Sequence, residues 1–133
     1  MSPVPIRNPL TIKCPKTGCK SKVIRAQAAT LVQRKPRTEL PAIGAAEPLP
    51  SELPDEIAAL LPANTSSADG GWFWMLNDMM EFENIGFSHL VDGQKYLSCA
   101  DCDLAPLGYH DTTVAGAQDK EYLIAIDRVA YLK

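Results

Sequence analysis

From Gly71 onward the apolar residues follow a period of two. Trp72, Trp74 and Leu76 alternate with Phe73 and Met75, the spacing of a strand that meets apolar neighbours on both faces. Ile85–Val91 and Gln94–Ser98 are strand-like runs on either side of Asp92-Gly93. Asp-Gly between such runs predicts a hairpin closed by a two-residue turn. Tyr122–Ile126 reads as a late strand, which Arg128–Leu132 extends or pairs with. Before Gly71 the signal is thinner. Lys22–Arg25 and Thr30–Gln33 read as two short strands around a small-residue turn, and residues 1–13, with three prolines, read as a loose arm. The expected class is mainly β and antiparallel, in one domain spanning residues 1–133.

Residues 36–70 break this pattern. Six of the eleven prolines lie there among Ala, Ser, Glu and Gly, with no aromatic residue. Such a segment buries too little surface to offset its ordering entropy and is expected to be a long flexible loop. One short helical turn is expected at Pro54–Leu61, where proline suits the first helical position and Asp55-Glu56 suit the first turn.

Charge and aromatic content divide the chain in the same way. Up to Thr38 there are nine Lys or Arg and no acid; beyond it there are four basic residues and sixteen acidic ones, for a formal net charge of -3. All nine aromatic residues lie at or beyond Trp72, so the bulk of the core is expected there. No apolar run reaches the roughly 18 residues of a membrane-spanning helix, so no direct membrane insertion is expected. Met1-Ser2-Pro3-Val4-Pro5 lacks the basic and apolar regions of a secretory signal. The expected location is the cytoplasm, where disulfides are rare, so the four cysteines call for another explanation.

Those cysteines form two pairs, Cys14-x4-Cys19 and Cys99-x2-Cys102. Each pair can present two thiolates from a knuckle-like turn, and two pairs complete the tetrahedral shell that Zn2+ takes. Gly18 suits a chain that turns tightly beneath a metal. Lys13, Lys16, Lys20 and Lys22 crowd the first pair and favour thiolates there. A redox CxxC and four reduced core cysteines are the alternatives. With four thiolates the site is closed to water, so a zinc held there is structural, and it ties the basic N-terminal strands to the aromatic C-terminal sheet. With the thiols so used, no cysteine nucleophile remains. His89 and His110 are the only histidines, and no Gly-rich phosphate loop occurs. Neither a catalytic triad nor direct nucleotide binding is expected. His110 is placed as an outer-shell support of the zinc loop, and Trp72 and Trp74 as sheet core.

Asp78-Met-Met-Glu-Phe-Glu-Asn-Ile-Gly-Phe87 and Lys95-Tyr-Leu-Ser-Cys-Ala-Asp-Cys-Asp-Leu-Ala-Pro-Leu-Gly-Tyr-His110, with the closing strand Tyr122–Val129, resemble the Rab-interacting-factor family, of the suppressor-of-Sec-four type. The family's first pair is usually CxxC, where this chain has CxxxxC, and the 36–70 loop is longer and richer in proline than in animal members. The resemblance implies a zinc-bearing antiparallel β-tent with one structural zinc. It implies a protein of vesicle transport that binds nucleotide-free exocytic Rab GTPases, promotes GDP release slowly, and acts as exchange factor or as chaperone of empty Rab. It places Asp101 at the partner's contact, with Phe82, Glu83, Asn84 and Phe87 in the second motif and Asp103 on the acidic edge. Such a protein is monomeric when free and performs no covalent chemistry. An exchange factor works by linkage: binding the empty GTPase better than the loaded one weakens nucleotide binding by the same factor.

Two other classes are weighed against this. A zinc-ribbon nucleic-acid binder would use the basic first 38 residues, but these contain no aromatic residue for base stacking. A methionine-sulfoxide-type reductase would need a cysteine beyond the zinc four, and the sequence has none.

Overall fold

The computed structural model describes residues 6–16, 18–19, 21–34, 54–61, 71–91, 93–101, 106–111 and 121–132. Among these the strands are β1 (Thr11–Lys13), β2 (Lys22–Ile24), β3 (Thr30–Arg34), β4 (Gly71–Leu76), β5 (Gly86–Val91), β6 (Gln94–Ser98), β7 (Gly108–Asp111), β8 (Tyr122–Ala125) and β9 (Ala130–Leu132). They form a six-stranded sheet in the order β3-β4-β8-β7-β6-β5 and a three-stranded sheet in the order β2-β1-β9. Every pairing is antiparallel. The mainly antiparallel β class read from the sequence is therefore the observed one.

The period-two pattern is cashed out on two apolar faces. Trp74 and Leu76 of β4, Tyr122 and Ile124 of β8 and Leu97 of β6 join Ile12, Val23 and Ile24 of the small sheet in one buried cluster, with Trp72 packed against it. The main core thus lies between the sheets. The alternate residues Phe73, Leu123, Ala125 and Tyr109 form a second buried cluster on the opposite face of the large sheet. Phe73 and Tyr109 meet there edge to face, with ring centroids 5.4 Å apart. A central strand covered on both sides reads as a continuous apolar run, and β8 is buried at all four positions.

The predicted hairpin is β5–β6. Val91 pairs with Gln94 across the two-residue connection, and the register shifts between Phe87 and Leu90. β7 then packs so closely on β8 that a Cβ on Gly108 would lie 1.7 Å from the Leu123 carbonyl oxygen. Only glycine permits that approach.

Two expectations need correction, and one placement left open by the sequence, the sheets that β2 and β3 join, is settled. The N-terminal arm is structured from Arg7: Arg7 bridges Thr30, and β1 pairs with both β2 and β9. The cause is Asn8, which is fully buried. Its Nδ2 donates to the carbonyls of Leu10 and Arg25, both at 2.9 Å, and its Oδ1 accepts from Ala29 N at 2.8 Å. Its own carbonyl accepts from Gln27 N at 2.8 Å. One side chain therefore supplies the bonds that the chain around it lacks, which offsets its burial. Strands β2 and β3 do not share a sheet; the Asn8-braced turn at 25–29 hands the chain from one sheet to the other. The second correction is that β9 neither extends β8 nor pairs with it. Arg128 N donates to Ala125 O at 3.2 Å, turning the chain; Ile126 and Val129 enter the core at that turn, and β9 lies against β1.

Within the 36–70 segment, the helix α1 (Asp55–Ala58) forms where the short turn was expected, with Pro54 at its N-cap. Ile57 is fully buried in the main cluster, and Leu60 and Leu61 pack on it, so this turn docks against the core. The flexible-loop reading for the rest of the segment falls outside the described residues. Among the described residues no helix is long and apolar enough to cross a membrane.

Candidate metal centre

Cys14 directly follows β1, and Cys19 lies in the β1–β2 connection. Cys14 N donates to Ser21 O and Cys19 N to Lys16 O, each at 3.0 Å, closing the neck and the tip of a tight knuckle. Gly18 sits at φ +88° within it, the left-handed conformation that glycine adopts without strain. Cys99 follows β6, at the end of the predicted hairpin. The first knuckle therefore belongs to the small sheet and the second to the large one, and they meet at the seam between the sheets.

The Sγ atoms of Cys14, Cys19 and Cys99 all lie within 4.8 Å of one another. Cys19 Sγ and Cys99 Sγ are 3.7 Å apart. Thiolates about 2.3 Å from a common tetrahedral centre stand about 3.8 Å from each other, so this spacing suits ligands of one ion. Cys14 and Cys99 are fully buried. The spacing, the burial and the all-sulfur donor set fit a structural metal. Cys102, the fourth ligand expected, lies outside the described residues, as does Asp103.

The remaining candidates cluster around the second knuckle. The Asp101 carboxylate accepts a hydrogen bond from the Ser21 hydroxyl, which links the two knuckles at an exposed position. Asn84 turns its amide inward: Nδ2 donates to Cys99 Sγ at 3.4 Å, and Oδ1 accepts from Ala100 N at 3.1 Å. Glu83 N donates to Val23 O at 2.9 Å, pinning the same segment to β2. The Glu83 carboxylate stays at the surface, 3.9 Å from Arg25. Phe82 packs partly buried against the main core.

Tyr122 is the hub of the neighbouring aromatic group. Phe82 and Phe87 approach its ring edge to face at 6.2 and 6.1 Å, and His110 stacks on it at 4.4 Å. Phe87 remains 39% exposed, with Lys95 Nζ 6.0 Å from its ring centroid. The expected support of the zinc loop by His110 cannot be followed into 102–105, which lie outside the described residues. His110 pairs with Lys95 in the β6–β7 ladder, and its Nδ1 lies 2.9 Å from Glu121 O.

The sequence reading missed Ser21 at this centre. Ser21 carried no signal beyond its place beside Cys19. Asn84, expected among the partner-contact motif, turns its amide to Cys99 and Ala100. Its signal is chemical: a side-chain amide donates through Nδ2 and accepts through Oδ1 at once.

The family model described as "Mss4 protein" matches residues 7–131. A Drosophila melanogaster protein named guanine nucleotide exchange factor MSS4 homolog is 49% identical over 59 residues, covering 44% of this chain and 44% of that protein. A Schizosaccharomyces pombe protein of the same name is 40% identical over 53 residues, covering 39% of this chain and 48% of that protein. The aligned part thus spans less than half the length of each relative.

Proposed function

The chain belongs to the Mss4 family, whose model covers residues 7–131, and from that premise we propose that it is a guanine-nucleotide exchange factor. Its partner in this reading is a small GTPase of the Rab family, bound preferentially without nucleotide. Its setting is exocytic vesicle transport in the cytoplasm, and it is monomeric when free. Cys14, Cys19, Cys99 and Cys102 hold one structural Zn2+, and no covalent chemistry takes place on the chain.

The observation that carries this reading is the convergence of two distant motifs on one knuckle. Asn84 of Phe-Glu-Asn-Ile-Gly-Phe reaches Cys99 and Ala100, and Asp101 beside them is braced by Ser21. The motifs are joined across the chain, neither contains a phosphate loop, and in this reading the thiols of the second are committed to the metal. That suits a rigid docking surface better than an active site. Asp101, Glu83 and Phe87 present its outward groups, while Phe82 and Asn84 support it from within; Asp103, next in the motif, belongs to the same acidic edge in this reading.

The mechanism is linkage. A GTPase holds its nucleotide through phosphate-cradling amides, a lysine and Mg2+. Emptying that pocket uncovers positive potential, which acidic groups such as Asp101 and Glu83 complement. Tighter binding to the empty form weakens nucleotide binding by the same factor. A complex that releases its GTPase quickly when GTP arrives works as an exchange factor; one that persists works as a chaperone.

The nucleic-acid reading is not favoured. Among the described residues, three N-terminal basic side chains have partners within the chain: Arg7 donates to Ala28 O, Arg25 faces Glu83, and Arg34 grips Glu121. The test is binding to a Rab in nucleotide-free, GDP-loaded and GTP-loaded states, with fluorescent GDP release followed in parallel. Preference for the empty form with accelerated release is expected. Equal binding to all three states would overturn the reading.

A further inference from the structure

We propose that Asn84 is a positioning residue for the metal, whose side-chain N–H holds the Cys99 thiolate in its coordinating orientation. The inference rests on the zinc reading of the thiol cluster but not on the identity of the GTPase.

The amide orientation follows from its surroundings. Ala100 N–H can only donate, so the atom facing it at 3.1 Å is the oxygen Oδ1. That leaves Nδ2 facing Cys99 Sγ at 3.4 Å. A sulfur bound to a cation keeps lone pairs that accept hydrogen bonds, and donors to them orient the ligand. Four thiolates around Zn2+ leave about two negative charges in the centre. Cys99 is fully buried, so water has little access to disperse that charge. A fixed N–H dipole aimed at the sulfur takes over part of the task.

The fit is specific to asparagine. Aspartate has the same shape and can accept from Ala100 N–H, but its ionised carboxylate has no donor and adds charge beside the thiolate. Alanine removes both bonds. The backbone that carries Asn84 is held independently, because Glu83 N is bonded to Val23 O at 2.9 Å. The amide is thus a side-chain link between the Phe82–Phe87 segment and the metal knuckle, beside the Gly86–Ser98 ladder pairing.

The test uses the full chain loaded with Zn2+, and in parallel with Co2+, as wild type, Asn84→Asp and Asn84→Ala. Zinc affinity is read by competition with a chromophoric chelator. Both variants are expected to lose about tenfold or more in zinc affinity, as outer-shell substitutions do. Their thiolate-to-cobalt charge-transfer band should move to lower energy, because a sulfur that loses a hydrogen bond is easier to oxidise. A merely structural role would leave that band in place. An Asn84→Asp variant with wild-type zinc affinity and an unshifted cobalt band would overturn the proposal, since Asn84 would then serve only Ala100 N–H. The Asp variant keeps that bond, so the answer does not depend on Asn84→Ala folding. A wild-type chain that takes up neither metal would instead remove the zinc reading itself.

Discussion

Trp74 Nε1 donates to the Tyr131 hydroxyl at 2.9 Å, and that hydroxyl donates to Ile126 O at 2.7 Å. This relay joins β4 of the large sheet to β9 of the small one. Trp74 is fully buried, so its N–H has no ready replacement for the phenol. Tyr131→Phe is expected to cost about 1–3 kcal/mol, the penalty for leaving buried polar groups unpaired. Urea denaturation of the two proteins measures it. Burial raises the Tyr131 pKa above its ordinary value, against a smaller opposing effect of the bond from Trp74. A raised folded-state value gives stability that is fully present below the unfolded value, about 10, and is lost as pH climbs from there towards the folded value. The gap between wild type and Tyr131→Phe should therefore shrink above about pH 10. A gap that stayed constant through that range would contradict the raised value.

The close approach of β7 to β8 gives a sharper test of packing. Alanine at position 108 would drive its Cβ to 1.7 Å from Leu123 O and 2.8 Å from Ile124 Cα. Both neighbours are backbone in a central pairing, so relief requires the strands to part. Gly108→Ala is expected to cost about 3 kcal/mol or more. Gly86→Ala serves as the comparison. Its Cβ would meet the Ser98 Oγ at 2.9 Å, and a hydroxyl can rotate away, so the cost should be about 1 kcal/mol. Denaturation midpoints in that order confirm the reading; the reverse order refutes it.

The thiol cluster joins the sheets at a second point, between the Cys14–Cys19 knuckle and the end of β6. A metal held only by the folded chain stabilises it by about 4 kcal/mol when present at a thousand times its dissociation constant. Chelation should then lower the melting temperature by on the order of 10 °C or more. Cys14→Ser, which removes a buried ligand, should have a similar effect and should abolish the further effect of chelator. An identical melting temperature with and without chelator would mean that the cluster is a set of packed thiols.

Most strands were legible because their cues are local. The alternation of Trp72 to Leu76 announced β4, and Asp92-Gly93 announced the β5–β6 hairpin. The gathering of Cys14, Cys19 and Cys99 was legible because paired cysteine spacing is itself a geometric statement. Sheet membership was not. Whether β9 pairs with β8 or β1 is decided by the turn at Ile126–Val129, and no pattern within Ala130–Leu132 records it. Asn8 was invisible for a related reason. Between Arg7 and Pro9 it reads as a polar residue in an arm, and its role exists only once Arg25 and Ala29 have been brought beside it.

In the proposed reading, Asp101 separates the docking surface from the scaffold beneath it. It is exposed, and its carboxylate is braced by the Ser21 hydroxyl across the two knuckles. Replacing it removes a charged acceptor without opening the buried thiol cluster. Asp101→Ala should therefore keep the zinc content and melt near wild type, while binding nucleotide-free Rab at least tenfold more weakly. That is the loss expected of a hydrogen bond to a charged group, about 1.5–3 kcal/mol. Ser21→Ala leaves the carboxylate present but unbraced, so its loss should be smaller, about two- to fivefold, because only the ordering of one side chain is added to the cost of binding. Titration of each variant against the empty GTPase, alongside zinc content, distinguishes these cases. Wild-type affinity in Asp101→Ala would move the contact surface away from the knuckle, towards Phe87 and the Tyr122 ring cluster. Equal losses in the two variants would instead assign the effect to the Ser21 bond and not to a contact with the partner.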